Sequence, residues 1–364
     1  PAKVQGFAAD IVDLASAMAD DWASANDDVA LRDENSRFAL EVLARTLLDV
    51  DLDGERGDVV ATAADAISDY ASPATLAVPD WIPLPVDRRY EKAMTALDAL
   101  VDDLIADRRA RTAGADSEDD GHGEGLLGTM LDAVEADDDP GIREDEVRDQ
   151  LVTFLFAGHE TTATALTYAV WLLAGHPGVR ERLDAELKAV LDGDDPSFGD
   201  VPQLSYTEAI VEEALRLYPP VTAVYREALA PTTVGGYRVD PGEPIQLSIY
   251  QVHRDGRWWD EPTAFRPERW LDDADDVPSV DENVAADVED VVAFGHDERP
   301  EYAYFPFGGG PRHCIGMRFA RLELRLALAT LATRLTFEQV GGFDPTLRIA
   351  LDPGDVRIRA QPRD

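Results

Sequence analysis

Apolar residues return at steps of three and four from the very start of the chain. Val4, Phe7, Ile11, Leu14, Met18 and Trp22 fall on one side of an opening helix whose other side is acidic. The same spacing predicts helices over 36–49, 58–70, 88–111 and 206–218. Over 154–163 the apolar positions surround the helix except for a polar knot at His159, Glu160, Thr161 and Thr162, and a helix apolar on nearly every side is a buried one. Residues 234–239 and 243–252 read as two strands around Pro241-Gly242, and 335–359 as short strands turned at Gly341-Gly342 and Pro353-Gly354. Ile315, Phe319, Leu322, Leu326 and Ala329 mark a last amphipathic helix. The pattern predicts a mainly α fold with a minor β-sheet, residues 1–364 forming one domain.

Charge narrows the picture. Lys and Arg total 33 against 73 Asp and Glu, a formal net charge of −40, which argues against nucleic-acid binding. Apolar periodicity excludes disorder as the explanation, so we expect adaptation to concentrated salt, where screening relieves the repulsion between acids. Residues 116–125 and 272–297 are so acidic that they read as solvated loops, and His122 lies isolated in the first. No run of about 18 apolar residues predicts a membrane span and no signal peptide is read, so a cytoplasmic location is expected. The chain starts at Pro1 and its first methionine is Met18, as expected of an excerpt or of a truncated chain.

Cys314, the sole cysteine, excludes a disulfide within the chain and fits a reducing compartment. A lone cysteine is most often a small buried hydrophobe. Here three glycines and a proline, Gly308-Gly309-Gly310-Pro311, impose a special turn just before it, and the apolar stripe of the last helix starts just after. Cys314 is therefore expected at a helix N-terminus, where peptide dipoles favour a thiolate over a thiol. His313 is poorly placed as its base, because adjacent side chains diverge. Zinc needs three or four ligands, and no second cysteine exists. A haem, which asks the protein for one axial thiolate, remains.

The pattern Phe-x-x-Gly-x-Arg-x-Cys-x-Gly, met by Phe307, Gly310, Arg312, Cys314 and Gly316, resembles the haem-binding loop of the cytochrome P450 monooxygenases. The resemblance implies haem b with Cys314 as axial ligand of the iron and Arg312 and Arg226 on its propionates. Phe307 would pack beside the sulfur, with Pro306, Ile315, Gly316 and Ala320 around the porphyrin. Ala157-Gly158-His159-Glu160-Thr161-Thr162 is similar to the oxygen-activating groove of the family's central helix. A zinc-protease reading of His159-Glu160 fails because a second histidine would be needed where Ala163 stands. The resemblance makes Ala157 and Gly158 the place for dioxygen and Glu160 and Thr161 the proton-handling pair, since splitting O–O toward water needs protons. Glu213-x-x-Arg216, alone an ordinary surface pair, together with Phe265-Arg266-Pro267-Glu268-Arg269-Trp270 resembles the family's buried triad of Glu213, Arg216 and Arg269.

Phe154, Phe156, Val221, Ala223 and Val224 are then expected along an apolar substrate pocket. The segment 72–85, with four prolines around Trp81 and Ile82, is either a loop packed on its own core or a lid over the entrance. Arg318, Arg321 and Arg325 either dock an electron donor or pair with Glu323 or nearby acids. His253 is read as structural. The family's earlier haem-covering helix, first strands and substrate loop have no counterpart in 1–364 in this reading. The implied activity is insertion of one oxygen atom of O2 into an apolar organic substrate, with electrons from a separate ferredoxin and ferredoxin reductase. A peroxide-driven haem enzyme, a haem isomerase and a noncatalytic haem-binding remnant remain as alternatives.

Overall fold

One helix, α6 (Glu144–Gly175), runs through both of the protein's main apolar cores. The computed structural model describes residues 2–363 apart from 26, 51, 53, 73–74, 76–77, 80, 115–124, 136–141, 272–298 and 349. At 1.5 Å per residue, α6 reaches about 48 Å. Val147, Leu151 and Leu155 on its first half share a core with α2 (Leu31–Val42), α3 (Glu55–Tyr70), α4 (Pro85–Gly114) and α5 (Leu126–Glu135). Ala165, Leu166, Ala169 and Val170 on its second half share another with α1 (Ala2–Ser24), α7 (Pro177–Leu191), α8 (Ser205–Leu217) and α10 (Met317–Arg334). Between the two lies the stretch from Phe156 to Thr162, where the polar knot falls. Apolar burial thus fixes both ends of the helix and leaves its middle for chemistry.

The opening stripe behaves as its spacing requires. Ile11, Leu14, Met18 and Trp22 are buried, and Phe7 meets Phe319 of α10 edge to face at 5.9 Å. The helix predicted over 36–49 starts earlier and changes character, α2 giving way to a π-helical turn at Leu43–Leu48. The other predicted helices appear with ends moved by a few residues. The acidic readings at 116–125 and 272–297 fall almost wholly outside the described residues.

The strands form small antiparallel sheets. β1 (Val29–Ala30) and β6 (Leu335–Val340) flank β9 (Arg357–Pro362), with Val29 opposite Ile358 and Leu335 opposite Pro362. β2 (Ala223–Glu227) pairs with β5 (Pro244–Ser248), Ala223 opposite Ser248. β3 (Thr232–Val234), β4 (Tyr237–Val239), β7 (Thr346–Leu347) and β8 (Leu351–Asp352) make two short hairpins. The strand expected over 234–239 is therefore two: Gly235 and Gly236, with φ of +57° and +87°, turn the chain between β3 and β4. The strand expected over 243–252 stops at Ser248, whose hydroxyl accepts from the Gln251 N–H and caps the single turn α9 (Ile249–Val252). In the segment 72–85, Trp81 is 81% exposed, so it does not pack on a core of that loop.

Ion pairs join the helices at the surface, as in Arg56 to Asp107 at 2.7 Å and Arg334 to Asp195 at 2.6 Å, but bases are far outnumbered by acids. Most carboxylates therefore have no basic partner to themselves. We expect the melting temperature and refolding yield to rise steadily from dilute buffer to molar KCl, as the screening length falls to about 3 Å. Melting curves that do not move with KCl would remove salt adaptation as the reason for the charge.

Candidate functional site

The buried triad organises the approach to Cys314. Glu213 on α8 has no exposed surface and its carboxylate accepts from Arg216 Nε and Nη2, both at 2.8 Å, and from Arg269 Nε at 3.0 Å. Trp270 Nε1 at 2.9 Å and the Arg266 N–H at 3.0 Å complete its shell. Arg216 also donates to the carbonyls of His253, Pro262 and Ala264. The charge cluster therefore fixes three segments of irregular chain to one helix. His253 carries the linkage onward: its Nε2 accepts from the Phe305 N–H at 2.8 Å. Burial, and then the nearby Arg216 guanidinium, push this imidazole down to about 3, so it stays neutral and its Nε2 stays an acceptor.

Two residues beyond Phe305 the cysteine loop begins. The Cys314 N–H donates to the Phe307 carbonyl at 2.9 Å, closing the loop across its base. Gly308 and Gly310 hold φ of +75° and +68°, a region that side chains other than glycine rarely occupy. The Arg321 guanidinium lies 5.3 Å from the Phe307 ring centre and pins that ring to α10. Cys314 itself is exposed and stands three residues ahead of Met317, where α10 starts, with Gly316 as N-cap. It lies on the turn that enters the helix rather than in its first turn. Ile315 beside it is 89% exposed, whereas Pro306 is buried in the protein and Phe307, Gly316 and Ala320 are half-buried.

In the middle of α6, Ala157 is exposed and the Thr161 hydroxyl donates to its carbonyl at 2.8 Å. Glu160 turns to another side of the helix, where the Ser68 hydroxyl of α3 donates to its two oxygens at 3.3 and 3.5 Å. Burial, ahead of the opposing pull of Arg32, raises this carboxyl to about 6. Gly158 also has a packing reason to be glycine. A Cβ there would meet the Leu43 methyls at 3.2 Å, so the missing side chain lets α6 pack close to the π-helical turn.

The pocket residues do not all converge. Val224 and Arg226, two apart on β2, line one cavity of about 610 Å³ with Phe305, Gly309 and Gly310 of the approach to Cys314. Ala223 points to the other face of that strand, and Val221 lies before it. Phe154 and Phe156 are both half-buried but project roughly 200° apart around α6, so a single wall cannot hold both.

Of the two readings of the α10 arginines, pairing with nearby acids holds for Arg321 and Arg325. Arg321 pairs with Glu212 at 2.8 Å and Arg325 with Glu208, both acids on α8, and the two arginine side chains are only 11% and 12% exposed. They tie α10 to α8 and are not a docking stripe; Arg318 alone of the three is exposed. Glu323 is not their partner: it is buried without a hydrogen bond at Oε1, and burial pushes its carboxyl well above the usual range. Sequence reasoning missed Ser68, Glu208, Glu212 and the role of Trp270. Only tertiary packing brings them to the site; a serine or glutamate on a helix carries no signal of its own.

Do these residues suit a haem? Arg226 makes one hydrogen bond, to the Tyr225 carbonyl, and among the described residues no carboxylate pairs with it or with Arg312. In a chain so rich in acids, two unpaired guanidiniums beside an exposed thiol and an exposed Ile315 match a flat apolar ring with two carboxylates and one open axial position. Among the described residues no group of three or more His, Cys, Asp or Glu could hold a metal ion by themselves.

Fold and loop together define a mainly helical protein with an exposed cysteine on a glycine-shaped loop ahead of α10. The sequence profile of the family Cytochrome P450 matches residues 5–350. The chain is 34% identical to cyclooctat-9-en-7-ol 5-monooxygenase of Streptomyces melanosporofaciens over 93% of its own length and 68% of that protein's. It is 32% identical to pentalenene oxygenase of Streptomyces avermitilis over 90% of its length and 67% of that protein's. It is 27% identical to bifunctional cytochrome P450/NADPH--P450 reductase 2 of Bacillus subtilis, over 99% of its length and 32% of that protein's. The chain therefore spans about two thirds of the two Streptomyces relatives and a third of the Bacillus one. It belongs to the cytochrome P450 family, the monooxygenases that carry haem b. Among the described residues no helix is long and apolar enough to cross a membrane.

Proposed function

We propose that this chain carries out oxygen insertion on an apolar organic substrate, with Cys314 as the axial thiolate and with electrons supplied by a separate ferredoxin-type protein. The observation that supports it best is the exposed Cys314–Ile315 pair flanked by the unpaired Arg312 and Arg226. Both Streptomyces relatives are named for oxygenation of alkene-type compounds, cyclooctat-9-en-7-ol and pentalenene, and we extend to this chain an apolar carbon skeleton of that kind.

When bound, haem b supplies the redox chemistry that splits dioxygen, one oxygen atom going to the substrate and one to water. The residues of this chain do the rest. Arg312 and Arg226 would hold the propionates of that group, and Ile315 and Phe307 would offer it apolar surface. Val224 lends apolar surface next to Arg226. On α6 the small side chain of Ala157 leaves room, and the Thr161 hydroxyl, held by the Ala157 carbonyl, is the last protein group in the proton path. Glu160, poised near neutrality, reloads it.

Reduced protein exposed to carbon monoxide should show the strongly red-shifted Soret band of a thiolate-bound haem. Thr161→Ala should then keep that spectrum while sending most electrons to hydrogen peroxide instead of product. Unchanged coupling in that variant would reject the role of the hydroxyl. Turnover with peroxide as good as turnover with a reductant and O2 would favour a peroxide-driven enzyme.

A further inference from the structure

Tyr304 lies on the approach to the cysteine loop, just before Phe305, and neither the triad nor the loop uses its hydroxyl. The ring is half-buried, and the hydroxyl donates to Glu212 Oε2 of α8 at 2.6 Å, with the Glu212 carbonyl at 3.1 Å. The shorter contact has the length of a charge-assisted bond from a hydroxyl to a carboxylate. Glu212 is 1% exposed and pairs with Arg321 at 2.8 Å, and the Arg321 guanidinium lies over the Phe307 ring. Phenol, carboxylate and guanidinium thus lead from Tyr304 to the residue whose carbonyl accepts from the Cys314 N–H. Burial, ahead of the Glu212 carboxylate, raises the phenol well above its ordinary value, so at rest it keeps its proton.

The aromatic rings beside it are differently placed. Trp270 lies 4.6 Å from Tyr304 and Trp259 5.5 Å from Trp270, centre to centre. Trp259 is surrounded by cations, the guanidiniums of Arg299, Arg216 and Arg269 standing 4.2, 4.9 and 6.0 Å from its ring. A cation is drawn to the electron-rich face of an indole, and removing an electron from that ring turns attraction into repulsion. Trp270 gives its N–H to Glu213, a carboxylate already shared by Arg216 and Arg269. An oxidised phenol is a strong acid, so its electron leaves readily where a base can take the proton in the same event. Tyr304 has that base at 2.6 Å. Among the described residues one other tyrosine hydroxyl meets a carboxylate, Tyr206 on Glu268 at 2.7 Å, and Glu268 lines a groove at the start of α7 with His176 and Arg182.

We propose that Tyr304 is a redox-active tyrosine that supplies electrons toward the haem when peroxide is present and substrate is not, with Glu212 as its proton acceptor. It rests on haem ligation by Cys314 as proposed above. Hydrogen peroxide, formed when turnover uncouples, is the oxidant; it takes up two electrons and two protons and leaves as two waters. Tyr304 passes the electrons inward one at a time. In each passage the phenol O–H bond breaks, the proton forms a carboxyl O–H on Glu212 Oε2, and a neutral phenoxyl radical is left. The ring is only half-buried, so a thiol in solution can return the electron while Glu212 returns the proton. Two thiols are oxidised to one disulfide and release the two protons that the peroxide consumes. The cysteine loop and its cofactor are thereby spared oxidation.

Electron paramagnetic resonance tests this in the full haem-loaded chain, mixed with hydrogen peroxide in the absence of substrate and frozen within milliseconds. The parent should give a tyrosyl radical signal that narrows when the protein is made with ring-deuterated tyrosine. Tyr304→Phe should lower that signal several-fold, and Tyr206→Phe should leave it as in the parent. Glu212→Gln keeps an acceptor for the hydroxyl but no place for the proton, and should lower the signal as well. With a thiol and peroxide both supplied, Tyr304→Phe should lose its haem absorbance several-fold faster than the parent, although its reduced carbon monoxide spectrum is unchanged. A signal of parent strength in Tyr304→Phe or Glu212→Gln overturns the proposal. So does a parent that has the red-shifted carbon monoxide band but no tyrosyl signal, and haem ligation by Cys314 then still stands. If the band itself is missing, the ligation fails and the redox role of Tyr304 with it.

Discussion

Glu213→Ala is expected to give protein that is insoluble or free of haem, with a loss of about 3–5 kcal/mol in folding stability. Glu213 and Arg216 have no exposed surface, and Arg269 is 7% exposed. Deleting the carboxylate leaves two buried guanidiniums without a countercharge, and the Trp270 and Arg266 N–H groups lose their acceptor as well. The damage is not confined to α8. Arg216 holds the His253 carbonyl, His253 holds the Phe305 N–H, and two residues later the Phe307 carbonyl receives the Cys314 N–H. The first link is buried and the second half-buried, so their partners have little water to turn to. Glu213→Gln, which keeps an acceptor but not the charge, should fall between parent and alanine. Thermal melting and the ratio of haem to protein absorbance measure both effects. A soluble Glu213→Ala protein with normal haem content would show that the cluster does not hold the cysteine loop.

The patterns that sequence reading recovered are those that repeat locally. The stripe from Ile11 to Trp22 and the apolar surround of α6 follow helical spacing, and both are buried as that spacing requires. Motifs recovered the triad, because Glu213 and Arg216 share one turn of helix and Arg269 follows Pro267 in a short fixed run. What escaped was settled by contacts distant in sequence. Arg321 and Arg325 form a basic stripe when α10 is read alone, yet α8 brings Glu212 and Glu208 against them. The packing of Leu43 at the missing Cβ of Gly158 joins residues more than a hundred apart in sequence. Ser68 lies 92 residues from Glu160 and nothing in α3 marks it out. The strand predicted over 234–239 failed for a local reason, since two consecutive glycines outweighed the β-branched residues on either side.

Cys314→Ser is expected to abolish the red-shifted carbon monoxide band and bring product formation below detection, while stability changes by no more than about 0.5 kcal/mol. The separation between chemistry and fold follows from the geometry. The side chain at 314 is exposed, so an oxygen in place of sulfur removes no core contact. The loop is shaped by its backbone, through the Cys314 N–H to the Phe307 carbonyl and the positive φ of Gly308 and Gly310, and serine keeps all of these. A hydroxyl does not ionise near neutral pH as a thiol can, so the electron-rich axial donor is lost. Arg312, Arg226 and Ile315 are untouched, and some haem should therefore still bind, with the spectrum of a weakly ligated iron. Retained haem with an altered spectrum assigns ligation to the sulfur and cofactor binding to the surrounding loop. A serine variant with the parent's red-shifted band would mean that another residue ligates the iron, and Cys314 would lose its assignment.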